Sequence, residues 1–303
     1  MKVAINISPL ENAHKNRGIG IYTRNLVENL KETDIELVKF RNISEVREVD
    51  LVHYPWFDLF FRTLPLRKKF PTIVTVHDVM PLLFPRQYPL GATGQLNFQI
   101  QKLALKNCKL IITPSIASKK DIVKLLKVKE NKIRVIYEAA GVQFKMLADA
   151  TKLQIKRKFR LPDRFILYVG DANYVKNLPF LIEGFRKLLE NEKFADLKLV
   201  LVGGVFLKNV ENIDHPELQN LKKMNQLIRD FGIEDKIIRP GRINDEELVG
   251  FYNLATVYIQ PSLYEGFGLP VLEAMSCGCP VASSNAASLP EVGGEAAVYF
   301  DPE

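Results

Sequence analysis

Two glutamates, Glu265 and Glu273, bracket the run Gly-Phe-Gly-Leu-Pro-Val-Leu, a glycine-rich turn that leads into a helical pattern. The apolar, β-branched stretch Thr256–Ser262 before it predicts a strand. Pro270 suits the first helical position, where a missing N–H costs nothing, and Gly278 suits the stop after Val271–Cys277. Strand, glycine loop and helix start together present backbone N–H groups and a positive dipole end, which is an anion site. A carboxylate is a poor phosphate ligand, so Glu265 in the loop and Glu273 a turn into the helix read as acceptors for hydroxyls of a phosphate-linked sugar or ribose. The plainer alternative is that Glu273 stabilises its helix and the glycines only shape a turn.

Four weaker constellations accompany this run. Arg17-Gly-Ile-Gly-Ile-Tyr22 opens the first predicted helix, and Gly18 and Gly20 would let backbone approach a ligand where a Cβ would collide. Thr75-Val-His77-Asp78 ends an apolar strand, where doubly wound folds place their ligands. His77 there reads as a hydrogen-bonding partner for a sugar hydroxyl or as a structural residue, and His53 ends another strand in the same way. Gly170–Asn177 links a strand to a helix and puts Lys176 where it can reach a diphosphate as a point charge; an ordinary surface lysine is the alternative. Gly203-Gly204 would allow close approach of a base or ribose, whereas Cys277 and Cys279 read as small buried residues.

These groups need a frame that brings strand ends together. Short apolar runs alternate with helical patterns along all 303 residues, which predicts parallel sheets covered by helices. The predicted strands are Lys2–Ser8, Glu36–Phe40, Asp50–Tyr54, Thr72–His77, Lys109–Pro114, Arg134–Glu138, Phe165–Gly170, Lys198–Gly203, Lys236–Pro240, Thr256–Pro261, Pro280–Ser284 and Ala297–Phe300. Between Gly141 and Pro162 the strand signal stops and charge rises, so the domains are placed at 1–148 and 149–303. A hydrophobic content of 47% and a charged content of 25% are those of a globular protein, and no apolar run reaches membrane-spanning length. Three cysteines give neither a disulfide framework nor a metal quartet, so a reducing cytoplasm is the expected setting. The net charge of +7, with Arg67-Lys-Lys69 and Lys156–Arg160 as local concentrations, reads as attraction to anionic headgroups or a phosphorylated acceptor, or as solvated surface. No recognition motif for nucleic acid accompanies it.

Together the residues resemble the retaining glycosyltransferases of family four. The resemblance is carried by Pro261–Val281 and Ser288–Gly293, and by Arg17-Gly-Ile-Gly, Val76-His-Asp, Val169-Gly with Lys176-Asn, and Leu201-Val-Gly-Gly. It implies the GT-B fold, an α/β architecture of two facing Rossmann-like domains, the first on the acceptor side and the second binding the nucleotide sugar. Closing C-terminal helices would follow in the family, so an ending at Glu303 reads as a truncated second domain. The pattern is most similar to the mannosyltransferase-like branch that builds polysaccharides and lipopolysaccharide O-chains.

By that resemblance Glu265 would hold donor-sugar hydroxyls and Glu273 the ribose. Gly266 and the amides of Phe267, Gly268 and Leu269 would face the sugar and diphosphate, beside Gly170 and Gly203. Lys176 would hold the diphosphate and steady the leaving group, Gly18 and Gly20 would close over it, and His77 would lie near the sugar. No cofactor or metal is expected; a GDP- or UDP-linked sugar is the co-substrate, and a glycan or lipid-linked molecule the acceptor, reached at the inner face of the plasma membrane. The sequence departs from the family pattern at Asp171 and Val175, one of which is usually arginine. That departure motivates the alternative of a low-turnover nucleotide-sugar-binding protein or inactive fragment.

Overall fold

All twelve apolar runs that predict strands form them, in the computed structural model, which describes residues 1–303 except 13, 14, 16, 17, 212, 214 and 215. The chain divides into two units, Met1–Tyr137 and Glu138–Glu303. The first carries β1 (Lys2–Asn6), α1 (Gly18–Leu30), β2 (Glu36–Phe40), β3 (Leu51–Tyr54), β4 (Thr72–Thr75), α2 (Met80–Leu83), α3 (Ala92–Lys106), β5 (Leu110–Thr113), α4 (Ile116–Leu126) and β6 (Ile133–Val135). Its strands form one parallel sheet in the order β2-β1-β3-β4-β5-β6.

The second unit carries α5 (Asp149–Phe159), β7 (Phe165–Val169), α6 (Leu178–Leu189), β8 (Lys198–Val202), α7 (Gln219–Asp230), β9 (Ile237–Gly241), α8 (Asp245–Leu254), β10 (Val257–Gln260), α9 (Leu269–Ser276), β11 (Val281–Ser284), α10 (Leu289–Gly293) and β12 (Ala297–Phe300). Its parallel sheet runs β12-β11-β10-β7-β8-β9. Alternate residues of β7 and β8 feed different cores. Phe165, Leu167, Val200 and Val202 pack with residues of α8, α9 and α10, while Ile166, Tyr168, Leu199 and Leu201 pack with α6 and α7. Burial on both faces is why these strands read as unbroken apolar runs rather than as alternating ones. Each such side chain, fully buried, contributes about 1.5–3 kcal/mol relative to exposure.

Two features differ from the sequence reading. The charged stretch between Gly141 and Pro162 is no plain junction but holds α5, which buries none of its residues fully and leans on α8 through Ile155 and Phe159. Its apolar stripe is too thin to register as a helical period. The division between units also falls earlier than 148/149. Phe144 belongs to the second unit's core, and Asn253 binds the backbone of residues 145 and 147 on both sides, its Oδ1 accepting from the Leu147 amide at 2.8 Å and its Nδ2 donating to the Lys145 carbonyl at 2.9 Å.

The strand orders locate a crevice in each unit. In the second sheet β8 and β9 extend to one side of β7, and β10, β11 and β12 to the other, so the order reverses between β7 and β10. In the first it reverses between β1 and β3. Helices leave in opposite directions at such a point, which opens a crevice at the carboxyl ends of the two strands.

Candidate functional site

At the β7/β10 switch the loops after both strands meet. β10 ends at Gln260, and its alternation continues through Ser262, so both side chains point to the same side. Gln260 Nε2 and Ser262 Oγ donate to Glu265 Oε1 at 2.8 and 2.7 Å. Tyr258, two residues earlier, donates its hydroxyl to Gln260 Oε1 and so fixes which way that amide faces. From the other strand, the loop after β7 brings Lys176 Nζ to the same Oε1 at 2.7 Å, and the Leu263 amide donates to the Val175 carbonyl at 2.8 Å, tying the two loops together. Lys176 and Glu265 keep only 20% and 14% of their side-chain surface exposed. Oε1 therefore holds three donors, while Oε2 has none among the described residues.

The backbone around this cluster is tightly set. Ser288 Oγ lies 2.8 Å from the Glu265 carbonyl and 2.6 Å from that of Phe267, so one hydroxyl pins both ends of the turn. Gly268 precedes α9 at φ +113°, where a Cβ would also lie 2.8 Å from Leu289 Cδ2. Glycine is thus required for the chain to enter the helix at this angle. The helix begins at Leu269, one residue before the predicted start, with Pro270 second. The Val271 amide is spent on the Gly268 carbonyl at 2.9 Å, which leaves the amides of Gly268 and Leu269 to head the helix. Past the ends of β7 and β8, Gly170 and Gly203 run in contact: a Cβ on Gly203 would lie 2.3 Å from the Gly170 carbonyl oxygen. Asp171 turns its Oδ1 to the Ala172 amide at 2.8 Å.

Glu273 sits apart from Glu265, one turn into α9. Its Oε2 accepts from the Tyr252 hydroxyl at 2.9 Å. Burial pushes its carboxyl up to about 7; the Tyr252 bond pulls the other way, and the nearby Asp245 charge adds to the rise. In the unfolded chain the same group ionises near 4.5, so between those values the folded state keeps a proton that the unfolded state gives up. Stability from this group is therefore present at low pH and is lost as pH rises through about 7. Glu273→Gln should flatten the pH dependence of urea unfolding between about pH 5 and 8. A variant that keeps the parent's slope would contradict this.

The first unit holds the remaining predicted residues. Gly18 begins α1 and is exposed, and a Cβ placed there would meet nothing within 4 Å, so packing alone does not demand glycine; Gly20 is buried in the helix's first turn. Arg17 lies outside the described residues. After Val76, whose amide still bonds the Ile112 carbonyl, the chain leaves the sheet, and His77 stands past the end of β4. Its Nε2 is 3.1 Å from the Pro55 carbonyl, an acceptor only, so that nitrogen carries a proton. The Tyr22 ring meets it edge-on at 4.6 Å between centroids. His53 Nε2 and the Tyr22 hydroxyl both reach Thr75 Oγ1, at 2.9 and 3.2 Å. Burial drives His53 down to about 4, with the neighbouring His77 adding, so it is neutral and structural.

The sequence reading missed Gln260, Ser262, Tyr252 and Ser288. Tyr258, Gln260 and Ser262 carry a visible signal, three polar-tipped residues at a spacing of two on an otherwise apolar strand. Cys277 and Cys279 are buried, with thiols pushed up to about 11 and about 12 by burial. Among the described residues no group of three or more His, Cys, Asp and Glu is placed to hold a metal. Cavities of about 410 and 620 Å³ beside α7 include none of the predicted site residues.

Residues 149–302 match the family model described as glycosyl transferases group 1, and residues 14–143 match that of glycosyltransferase family 4. The serotype-specific mannosyltransferase WbdA of Escherichia coli is 32% identical over 235 residues, which are 76% of this chain and 27% of that protein. The O-antigen chain mannosyltransferase B of Escherichia coli is 31% identical over 231 residues, 76% of this chain and 57% of that one. The chain thus spans about a quarter and somewhat over half the length of these relatives. Among solved structures, the sucrose-phosphate synthase of Thermosynechococcus elongatus superposes with a TM-score of 0.75 at 17% identity, covering 100% of this chain and 86% of that one. That likeness is one of fold, the GT-B class.

Proposed function

The chain belongs to the group 1 glycosyl transferases, and from that membership we propose that it moves a hexose from a nucleoside diphosphate to a glycan or lipid-linked acceptor. The sugar is mannose-like, the donor GDP- or UDP-linked, and the product part of a polysaccharide or lipopolysaccharide. Transfer retains the anomeric configuration and needs no metal. The reaction belongs in the cytoplasm, in peripheral contact with the inner face of the plasma membrane.

The observation that carries this reading is the Glu265 carboxylate at the β7/β10 switch, saturated on Oε1 and open on Oε2. A sugar hydroxyl donates to Oε2. The diphosphate lies toward Lys176 and the start of α9, over the close-packed glycines Gly170 and Gly203, and Glu273 accepts from the ribose. Breaking the bond from anomeric carbon to phosphate builds positive charge on the sugar and negative charge on the diphosphate. The Lys176 ammonium and the helix-heading amides oppose the negative charge where it grows. The three donors on Oε1 draw charge off the whole carboxylate, and Oε2 is engaged by a sugar hydroxyl, which favours attack by the acceptor on the face that the diphosphate leaves. The acceptor proton then passes to a departing phosphate oxygen. Gly18 and Gly20 of the first unit keep their reading as donor-binding glycines, and His77 its reading as a partner of the donor sugar.

The test is release of nucleoside diphosphate from a panel of GDP- and UDP-sugars, with and without acceptor extract. Acceptor-dependent release with label in the glycan is the expected result. Binding without release would instead favour a low-turnover nucleotide-sugar-binding protein.

A further inference from the structure

We infer that the cavity between β9 and α7 of the second unit is a ligand site for a small phosphomonoester of sugar size. It shares no residue with the Glu265–Lys176 centre. Its test uses neither donor nor acceptor, so its failure would leave the transferase reading standing.

The first observation is an arginine without a counter-ion. β9 lies at the edge of its sheet, and Ile237 packs toward the core of α6 and α7 while Ile238 packs toward the other core. Arg239 follows Ile237 by two residues and so faces α7. There its Nη2 donates to Asn225 Oδ1 at 2.9 Å. Among the described residues this is its one hydrogen bond, and no carboxylate pairs with it. Burial holds the guanidinium below the ordinary arginine range, and the neighbouring Arg229 charge adds to this. Partly buried, without an acidic partner and near a second cation, the Arg239 charge is unfavourable on its own, and an anion would offset it.

The second observation is the cavity that this fork meets. It measures about 410 Å³, a size that takes a small molecule. Val210, Ile228 and Ile237 give it an apolar wall. Asn225 Oδ1 is fixed toward Arg239, since a guanidinium only donates, which leaves Nδ2 to donate to a ligand. Asn209 is placed likewise, its Oδ1 taken by the Glu211 amide at 3.2 Å.

The third observation is the surrounding charge. The adjoining cavity of about 620 Å³ shares Asn225 and Arg229 and adds Lys222 and Lys223. With Lys208 and Arg239, five cationic residues line the two cavities, against Glu211 and Glu234. Glu211 is held by Arg229 Nη1 at 3.0 Å, and Glu234 lies exposed in the short turn before β9.

Charge, amides and apolar wall fit one chemistry. A phosphomonoester accepts from the Arg239 fork and from Lys208. A sugar ring offers hydroxyl oxygens to the amides and a C–H face to the apolar wall. A bare anion would leave that wall uncovered, and a neutral sugar would leave Arg239 unpaired.

The experiment is calorimetric titration of the chain with mannose 6-phosphate, mannose and inorganic phosphate. Mannose 6-phosphate should bind at least about tenfold more tightly than either reference compound. Arg239→Gln should weaken it about tenfold or more, and Lys208→Gln about threefold. Lys208 is exposed, so a loss in its variant is not a loss of folding. In phosphate-free buffer Arg239→Gln should melt no lower than the parent, and mannose 6-phosphate should raise the melting temperature of the parent alone. Lys124→Gln, at an exposed site of the first unit, and Lys176→Met, in the donor centre, should both retain parental affinity for mannose 6-phosphate. No preference for mannose 6-phosphate over the reference compounds, equal loss in Lys124→Gln, or loss in Lys176→Met with binding retained in Arg239→Gln would each overturn the proposal.

Discussion

Glu265→Gln is expected to lower transfer about 10²–10³-fold while leaving the affinity for free nucleoside diphosphate within about threefold. The argument rests on which oxygen does what. Oε1 is held by Lys176, Gln260 and Ser262, and a glutamine carbonyl can keep those donors in the same geometry. Its amide, however, replaces Oε2, the acceptor offered to the sugar, with a donor. The sugar hydroxyl then faces an N–H, and the negative charge that counters the developing positive sugar is gone. Nucleotide contacts lie elsewhere in the reading, so binding of the diphosphate alone should barely change. A variant with parental turnover, or one that loses nucleotide affinity and turnover together, would contradict the assignment.

Lys176→Met should act on the other half of the bond being broken. It should weaken nucleoside diphosphate binding about 10–100-fold and transfer about 10²–10³-fold, because the charge it removes opposes the leaving group. The side-chain stem is kept, so packing beside Val175 and Leu178 should survive. Lys176→Arg should recover only part of the loss, since a planar fork does not replace a compact ammonium on the same path. A second signature follows from the 2.7 Å pair. Lys176→Met strands the enclosed Glu265 carboxylate with neutral donors only, so the double variant with Glu265→Gln should melt higher than the sum of the single effects implies. Additive melting shifts would mean that the pair is not coupled in the folded protein.

The strands and the glycine turn into α9 are legible in the sequence because both are local. β7 and β8 announce themselves through apolar runs of five and four residues, and Gly268-Leu-Pro270 through the backbone demands of entering a helix. What it hides is set by tertiary contact. Lys176 and Glu265 are 89 residues apart, and their pairing follows from strand order at the switch point rather than from spacing. Tyr252, which holds Glu273, lies on a different helix, α8, 21 residues away. α5 is hidden for the opposite reason: with no fully buried residue it leaves almost no period to read. Asp171, opposed to a diphosphate on charge alone, faces the Ala172 amide, a local choice of the folded loop.

The central claim is that the Glu265–Lys176 centre grips a nucleotide sugar at the end holding both sugar and diphosphate. Calorimetric titration of GDP-mannose, UDP-glucose and the two free nucleoside diphosphates into the parent, Glu265→Gln and Lys176→Met tests it most directly. The account predicts that the parent binds one nucleotide sugar more tightly than its diphosphate, that Glu265→Gln erases this preference alone, and that Lys176→Met weakens both ligands. Unchanged preference in Glu265→Gln together with unchanged affinity in Lys176→Met would contradict it.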